Sequence, residues 1–343
     1  MKSFIFSLLA LLFIACGEST DTTKLFDIQL EGKKKEFQKN DRVGIAIKNK
    51  KDVTISKIEY FIDDKLLPVT DGKIILDVDK LGSKVLIAKI DYKDSSVDIT
   101  KKIKILAEKS PEIYTYEILN TYPHDKTAFT QGLEFKNDTL FEGTGRKGES
   151  KLKKIDYKTG TVYQEVDLDK SIFGEGVTIL NNKVMQLTWQ SGLGYVYNKE
   201  NLEKIESFSY GKSKEGWGLC NDGTKIYKSD GTEKIWILDP KNLEEVDYIE
   251  TVTDKSIFNK ANELEYVDGK IYANVWQKES MMIIDAKSGA IEGVVNFGGL
   301  KEKVEKHDKL NVFNGIAYHP ERKTFFVTGK YWDTLFEVTI KKK

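Results

Sequence analysis

The stretch FGEGVTIL, Phe173 to Leu180, sets one carboxylate between two glycines at the head of a strand-like run. Taken locally, it predicts a tight turn entering a strand, because glycine reaches backbone conformations that other residues avoid. That accounts for the glycines and leaves Glu175 without a reason. The reason lies in four related stretches of the same chain: TQGLEF from 130, GWGLCND from 216, NELEYVDG from 262 and NGIAYHP from 314. Aligned on Gln131, Glu175, Trp217, Asn262 and Asn314, they recur at steps of 44, 42, 45 and 52 residues. A second motif follows each: LFEGTGR, VMQLTWQ, IYKSDG, IYANVWQ and FFVTGKYW. A hairpin pattern with turn residues in its middle comes third, as in KIDYKTGTVYQEVDL. The fifth copy holds only its first half, TLFEVTI.

A period of about 40–50 residues, each unit carrying four short strands, is the signature of a β-propeller. The chain is therefore expected to be all-β, with five units predicting five blades. The half-unit at the end is matched by YTYEILNTYPH, 114–124, a strand pattern with no partner in its own repeat. Pairing of 114–122 with 335–340 would complete the fifth blade and remove the open edges that invite aggregation. The propeller is expected over 113–343. Upstream, 25–108 reads as short alternating strands separated by turn signals such as Asp71-Gly72, the pattern of a small immunoglobulin-like β-sandwich. It shows no polar constellation, so a spacer or docking role is expected for it.

In a propeller, one repeat position maps to one height and radius about the axis. Gln131, Glu175, Trp217, Asn262 and Asn314 should form a ring at the mouth, and Trp189, Trp276 and Lys330 of the second motif a neighbouring tier. Glu175 is then one unit's contribution to a shared site, its glycines turning the backbone into the strand and leaving room for a ligand. The competing interpretation is structural: polar residues lining a water-filled channel and tryptophans packing between blades, as is expected of Trp236.

Composition narrows the partners. Lysine plus arginine, 54, equals aspartate plus glutamate, 54, so no net field points to nucleic acid. After Lys2 come twelve largely apolar residues, FIFSLLALLFIA, too few to span a bilayer as a helix, ending at Ala15-Cys16-Gly17. This resembles a bacterial lipoprotein signal: 1–15 a signal peptide, Cys16 the lipidated start of a linker over 16–24, and the mature protein exported and membrane-anchored on the cell envelope. An ordinary secretory signal is the alternative. The other cysteine, Cys220, is left without an intramolecular partner and is expected to be a buried apolar residue. His124, His307 and His319 lack metal-ligand spacing, so neither a metal nor a cofactor is expected.

The motifs AFTQGL, FGEG, LTW, GWGL, NELE, NVW and VTGKYW, in this order, resemble the plant-type glutaminyl cyclases, over residues 113–343. The resemblance implies a five-bladed propeller and a metal-independent glutaminyl-peptide cyclotransferase acting on peptides or proteins with N-terminal glutamine. It implies Glu175 as catalytic acid/base with Asn262 and Lys330 as polar partners, and the cyclisation chemistry assigns both of these to support of the developing oxyanion. Phe129 and Gln131 would line the substrate pocket, with Trp189, Trp217 and Trp276 as its aromatic walls; Asn314 joins the substrate-binding set through its ring position. Two rivals stay open. A non-catalytic recognition module would release no ammonia from a Gln-initiated peptide, and a metal-dependent propeller hydrolase such as a lactonase would lose activity to a chelator.

Overall fold

The computed structural model describes residues 25–343; the expected signal segment and Cys16 lie outside the described residues. The described chain is all-β apart from two short 3-10 turns, and it divides into two compact units. The first comprises 25–34, Val43–Ile74 and Val85–Lys101; the second comprises Lys35–Arg42, Ile75–Lys84 and Lys102–Lys343.

The N-terminal strands form two sheets. One is three-stranded, in the order Phe26–Leu30, Arg42–Asn49, Lys73–Ile75. The other is five-stranded, in the order Glu36–Gln38, Ser95–Leu106, Gly82–Tyr92, Ile55–Ile62, Lys65–Leu67. Side chains alternate in burial along Phe26–Leu30 and Gly82–Tyr92, the period-2 pattern of strands with one covered face.

The second unit carries the repeat and is propeller-like. Three repeats are separate four-stranded antiparallel sheets with inner strands Thr130–Lys136, Gly174–Leu180 and Leu219–Asn221. The last two repeats, with inner strands Ala261–Val267 and Phe313–His319, belong to one eight-stranded sheet. Glu112–Pro123 joins them. It pairs antiparallel with Thr334–Lys342, from Thr334↔Pro123 to Lys342↔Tyr114, and its first residues pair parallel with 293–295 on the outer strand of the fourth repeat. One segment thus covers the outer edges of two repeats, which is why two expected separate sheets are continuous.

The inner strands neighbour one another in a cycle, first against second through fifth against first. Between consecutive repeats lies an apolar cluster: Phe141, Val177 and Tyr195 between first and second; Met185, Leu219 and Trp236 between second and third; Ile237, Leu264 and Met282 between third and fourth. Phe313, Val327 and Trp332 fill the next gap with Met281, and Leu133, Tyr157 and Phe326 the last. Cys220 and Trp236 are both in this core, with the Trp236 indole N–H donating to Asp230 at 2.8 Å. Burial pushes the Cys220 thiol well up, which removes the thiolate a nucleophile needs.

Candidate active site

Four ring residues sit where the inner strand begins and its register slips by one residue against the second strand. The slips fall across Gln131, Glu175–Gly176, Asn262–Glu263 and Asn314–Gly315. A bulge of this kind re-aims a side chain out of the pleat. The glycines beside Glu175 serve another purpose than the one expected. Neither has a left-handed backbone. A Cβ at Gly176 would lie 2.7 Å from the Gly218 Cα and the Trp217 carbonyl oxygen, and one at Gly174 would lie 2.5 Å from the Thr144 carbonyl oxygen. The glycines let neighbouring repeats approach at contact distance; they do not make space for a ligand. At the next repeat position Gly132, Gly176, Gly218 and Gly315 are interrupted by Glu263. Its buried carboxylate spans the narrowed centre and accepts from the backbone N–H of Leu133 at 3.2 Å and Ile316 at 2.8 Å.

A cavity of about 230 Å3 is lined by Phe129, Gln131, Glu175, Trp189, Trp217, Asn262, Trp276 and Lys330, together with Arg146 and Phe173. Asn314 does not line it. It lies one layer behind, 1 % exposed, and fixes the direction of the amides in front. The Asn314 Nδ2 donates to the Thr130 carbonyl at 2.9 Å, and a carbonyl can only accept. Asn314 Oδ1 therefore faces Asn262, whose Nδ2 donates to it at 2.9 Å, leaving Asn262 Oδ1 for the cavity. The same Nδ2 of Asn314 approaches Gln131 Oε1 at 3.4 Å, so Gln131 presents its Nε2 to Glu175 Oε1, at 2.8 Å. The second carboxyl oxygen of Glu175, Oε2, is buried with no hydrogen-bond partner among the described residues.

Two titratable groups here are moved toward each other. Burial pushes the Glu175 carboxyl well above the usual carboxylate range; Lys330 pulls it back, Glu215 pushes it further and the Gln131 hydrogen bond opposes. Burial lowers the Lys330 ammonium to about 8 against the pull of Glu175, and Arg146 lowers it further. The Lys330 Nζ stands 4.6 Å from the Phe129 ring centroid, the Arg146 guanidinium 4.2 Å from the same ring. The Trp217 and Trp276 rings meet at 5.7 Å, and Trp189 packs on Phe173 at 5.4 Å. Glu215 accepts both indole N–H groups, from Trp189 at 2.9 Å and Trp217 at 2.8 Å, so one carboxylate positions two walls.

Phe173, Arg146 and Glu215 are absent from the sequence-based site, yet the repeat marks them. Phe173 and Glu215 hold the position of Phe129, two residues before the ring. Arg146 follows Gly145, which stands where the other repeats have Trp189, Asp230, Trp276 and Lys330. The residue after that tier is left-handed in every repeat, with φ of 88° at Arg146, 57° at Gln190, 79° at Gly231, 61° at Gln277 and 64° at Tyr331. Where Gly145 has no side chain, that turn brings Arg146 to the cavity.

Residues 86–340 match the sequence model of the glutamine cyclotransferase family. A glutaminyl-peptide cyclotransferase of Arabidopsis thaliana is 37% identical over 243 residues, covering 68% of this chain and 73% of that protein. The crystal structure of Myxococcus xanthus glutaminyl cyclase superposes with a TM-score of 0.63 at 31% identity, covering 68% of this chain and 99% of that one. With the repeat, the cavity and these likenesses together, the chain belongs to the glutamine cyclotransferase family.

Proposed function

We propose that this protein is a glutaminyl-peptide cyclotransferase, converting the N-terminal glutamine of a peptide to 5-oxoproline with release of ammonia, on a five-bladed propeller preceded by an immunoglobulin-like sandwich. The observation that carries it is a buried carboxyl lining an indole-walled cavity, with one oxygen held by Gln131, the other without a hydrogen-bond partner among the described residues, and Lys330 lining the same cavity. The substrate's own α-amine attacks its γ-carboxamide, an acyl transfer within one molecule that needs no enzyme nucleophile. The new N–C bond forms, the amine loses a proton, and the C–NH2 bond breaks as the leaving nitrogen gains one. Glu175 Oε2 carries that proton from the attacking to the leaving nitrogen, a task suited to a carboxyl whose pKa is raised toward the working pH. Lys330 stabilises the oxygen on which charge develops. Asn262, with its oxygen toward the cavity, accepts an N–H of the amine; this differs from the oxyanion-supporting role that the residue type alone suggests. The tryptophans hold the folded-back glutamine and exclude water.

Mass spectrometry of a Gln-initiated peptide after incubation tests the assignment: the free peptide should lose ammonia and its N-acetylated form should not. No loss from the free peptide would leave a recognition module. Lys330 adds a second expectation. Its ammonium is present below about 8, so the turnover number should fall as pH rises through that value. Lys330→Met should lower turnover about 10²–10³-fold, the range for one lost oxyanion donor. A pH series of kcat should show no such fall in the variant; a fall retained near pH 8 would assign it to another group.

We further propose export and lipid anchoring through Cys16, on the strength of the segment preceding it. Fractionation of the producing cells should place the protein with membranes and Cys16→Ala in the soluble fraction; parent and variant fractionating alike would refute the anchor.

A further inference from the structure

We propose that His124, clamped by the buried Glu142, is a positioning residue for the cyclisation: it holds Lys330 at the cavity by fixing the turn that follows it. The inference rests on the cyclotransferase reading and on the oxyanion role given to Lys330. His124 does not line the cavity, and its side chain is 3 % exposed. Lys330 is carried by a turn whose carbonyls are all taken. The Lys330 carbonyl accepts from the Asn311 N–H at 3.1 Å, that of Tyr331 from the His307 ring Nε2 at 2.8 Å and that of Trp332 from the His124 ring Nδ1 at 2.7 Å. The Asp333 carbonyl accepts from the His124 backbone N–H at 2.8 Å, so His124 grips the turn twice. Tyr331 needs such holding, because a left-handed φ of 64° is unfavourable for a residue with a side chain.

The hydrogen bonds fix the protons on the ring. A carbonyl can only accept, so Nδ1 bears a hydrogen. Nε2 faces Glu142 Oε1 at 3.2 Å, and that oxygen also accepts from the Thr130 hydroxyl at 2.8 Å. With the carboxyl ionised, Nε2 donates as well and His124 is an imidazolium. Burial pushes the imidazolium down, but Glu142 and the Trp332 carbonyl outweigh it and hold His124 above the ordinary histidine value, against the opposing charge of Lys153. Burial likewise pushes Glu142 up, and His124, Lys153 and Thr130 outweigh it to keep the carboxyl below the usual range. The Lys153 ammonium donates to Asp125 at 2.8 Å, which leaves the imidazolium as the cation in contact with Glu142. The pair thereby ties the turn of Lys330 to Thr130, whose carbonyl directs Asn314. The tryptophan walls are held separately, by Glu215, so loosening the turn should lower kcat and spare KM.

The test is a double-mutant cycle on the full chain, read as kcat and KM for ammonia release from a Gln-initiated peptide. His124→Gln can keep a donor toward Glu142 but loses the one toward the Trp332 carbonyl. It should lower kcat roughly tenfold, inside the 10²-fold that a misplacement of about 1 Å costs, with KM changed by less than about twofold. In the Lys330→Met background the same substitution should lower kcat no further, since the ammonium it positions is gone. A tenfold loss that persists there, or a KM that rises as kcat falls, would make His124 a structural residue and overturn the proposal. A second measurement needs no variant to fold. In the 15N-histidine-labelled parent at about pH 7.5, above the ordinary histidine pKa of about 6.5, one of the three rings should bear hydrogens on both nitrogens in the NMR spectrum. Three neutral rings would remove the clamp and overturn the positioning role. A parent that releases no ammonia would overturn the cyclotransferase reading and this role with it, whereas the doubly protonated ring would still be seen.

Discussion

Glu175→Gln is expected to lower turnover of a Gln-initiated peptide by at least about 10²-fold, the lower end for a lost general acid–base, without loss of stability. The amide keeps the size of the carboxyl and can still accept from Gln131, but it cannot take the amine's proton. Stability should move the other way. The carboxyl is pushed up mainly by burial, so its contribution is fully present below the ordinary carboxylate pKa and is lost as pH rises through the raised folded value. Above that value the parent holds a buried carboxylate that the variant lacks. The melting temperature of Glu175→Gln relative to the parent should therefore increase from mildly acidic to mildly alkaline pH. A variant that releases ammonia at near-parental rate, or that melts well below the parent at all pH values, would show the carboxyl to be structural.

Deletion of residues 1–123 is expected to abolish cooperative unfolding, whereas deletion of 1–109 should leave a fragment that folds and turns over substrate. The longer deletion removes Glu112–Pro123, which supplies the antiparallel partner of Thr334–Lys342 and reaches the outer strand of the fourth repeat. It also strips Tyr122 from Tyr157 and Phe326, and Tyr116 from Phe297. The chain would then keep an unpaired strand and an open edge. The shorter deletion keeps all of this. It does lose contacts within the second unit, such as the Ser83 N–H donated to Glu250 at 2.8 Å and the Leu81 N–H donated to Ser288, so its melting temperature should drop while its transition stays sharp. Equal melting behaviour of the two fragments by circular dichroism would rule out this closure.

Much of the fold was legible because a repeated strand pattern can bury its faces only against copies of itself. The period set the number of four-strand units, and the half-unit TLFEVTI against YTYEILNTYPH identified the pairing that joins the ends. The same logic brought Gln131, Glu175, Trp217 and Asn262 to one cavity with Lys330, since equal repeat positions fall at equal radius about a common centre.

What the linear order leaves open depends on distances between repeats. The purpose of Gly174 and Gly176 emerges only from how near Thr144 and Gly218 come. The orientation of Asn262 is decided two residues away in space, by the Thr130 carbonyl acting through Asn314. Burial, which raises Glu175 and lowers Lys330, belongs to the walls around them rather than to either residue. Arg146 reaches Phe129 because Gly145 is bare and the following turn is left-handed. The amino-acid sequence by itself determined which residues share the mouth, because repeat position is a property of spacing. Only the tertiary structure decided what each one offers there, because hydrogen-bond direction, desolvation and close approach are set by neighbours from other repeats.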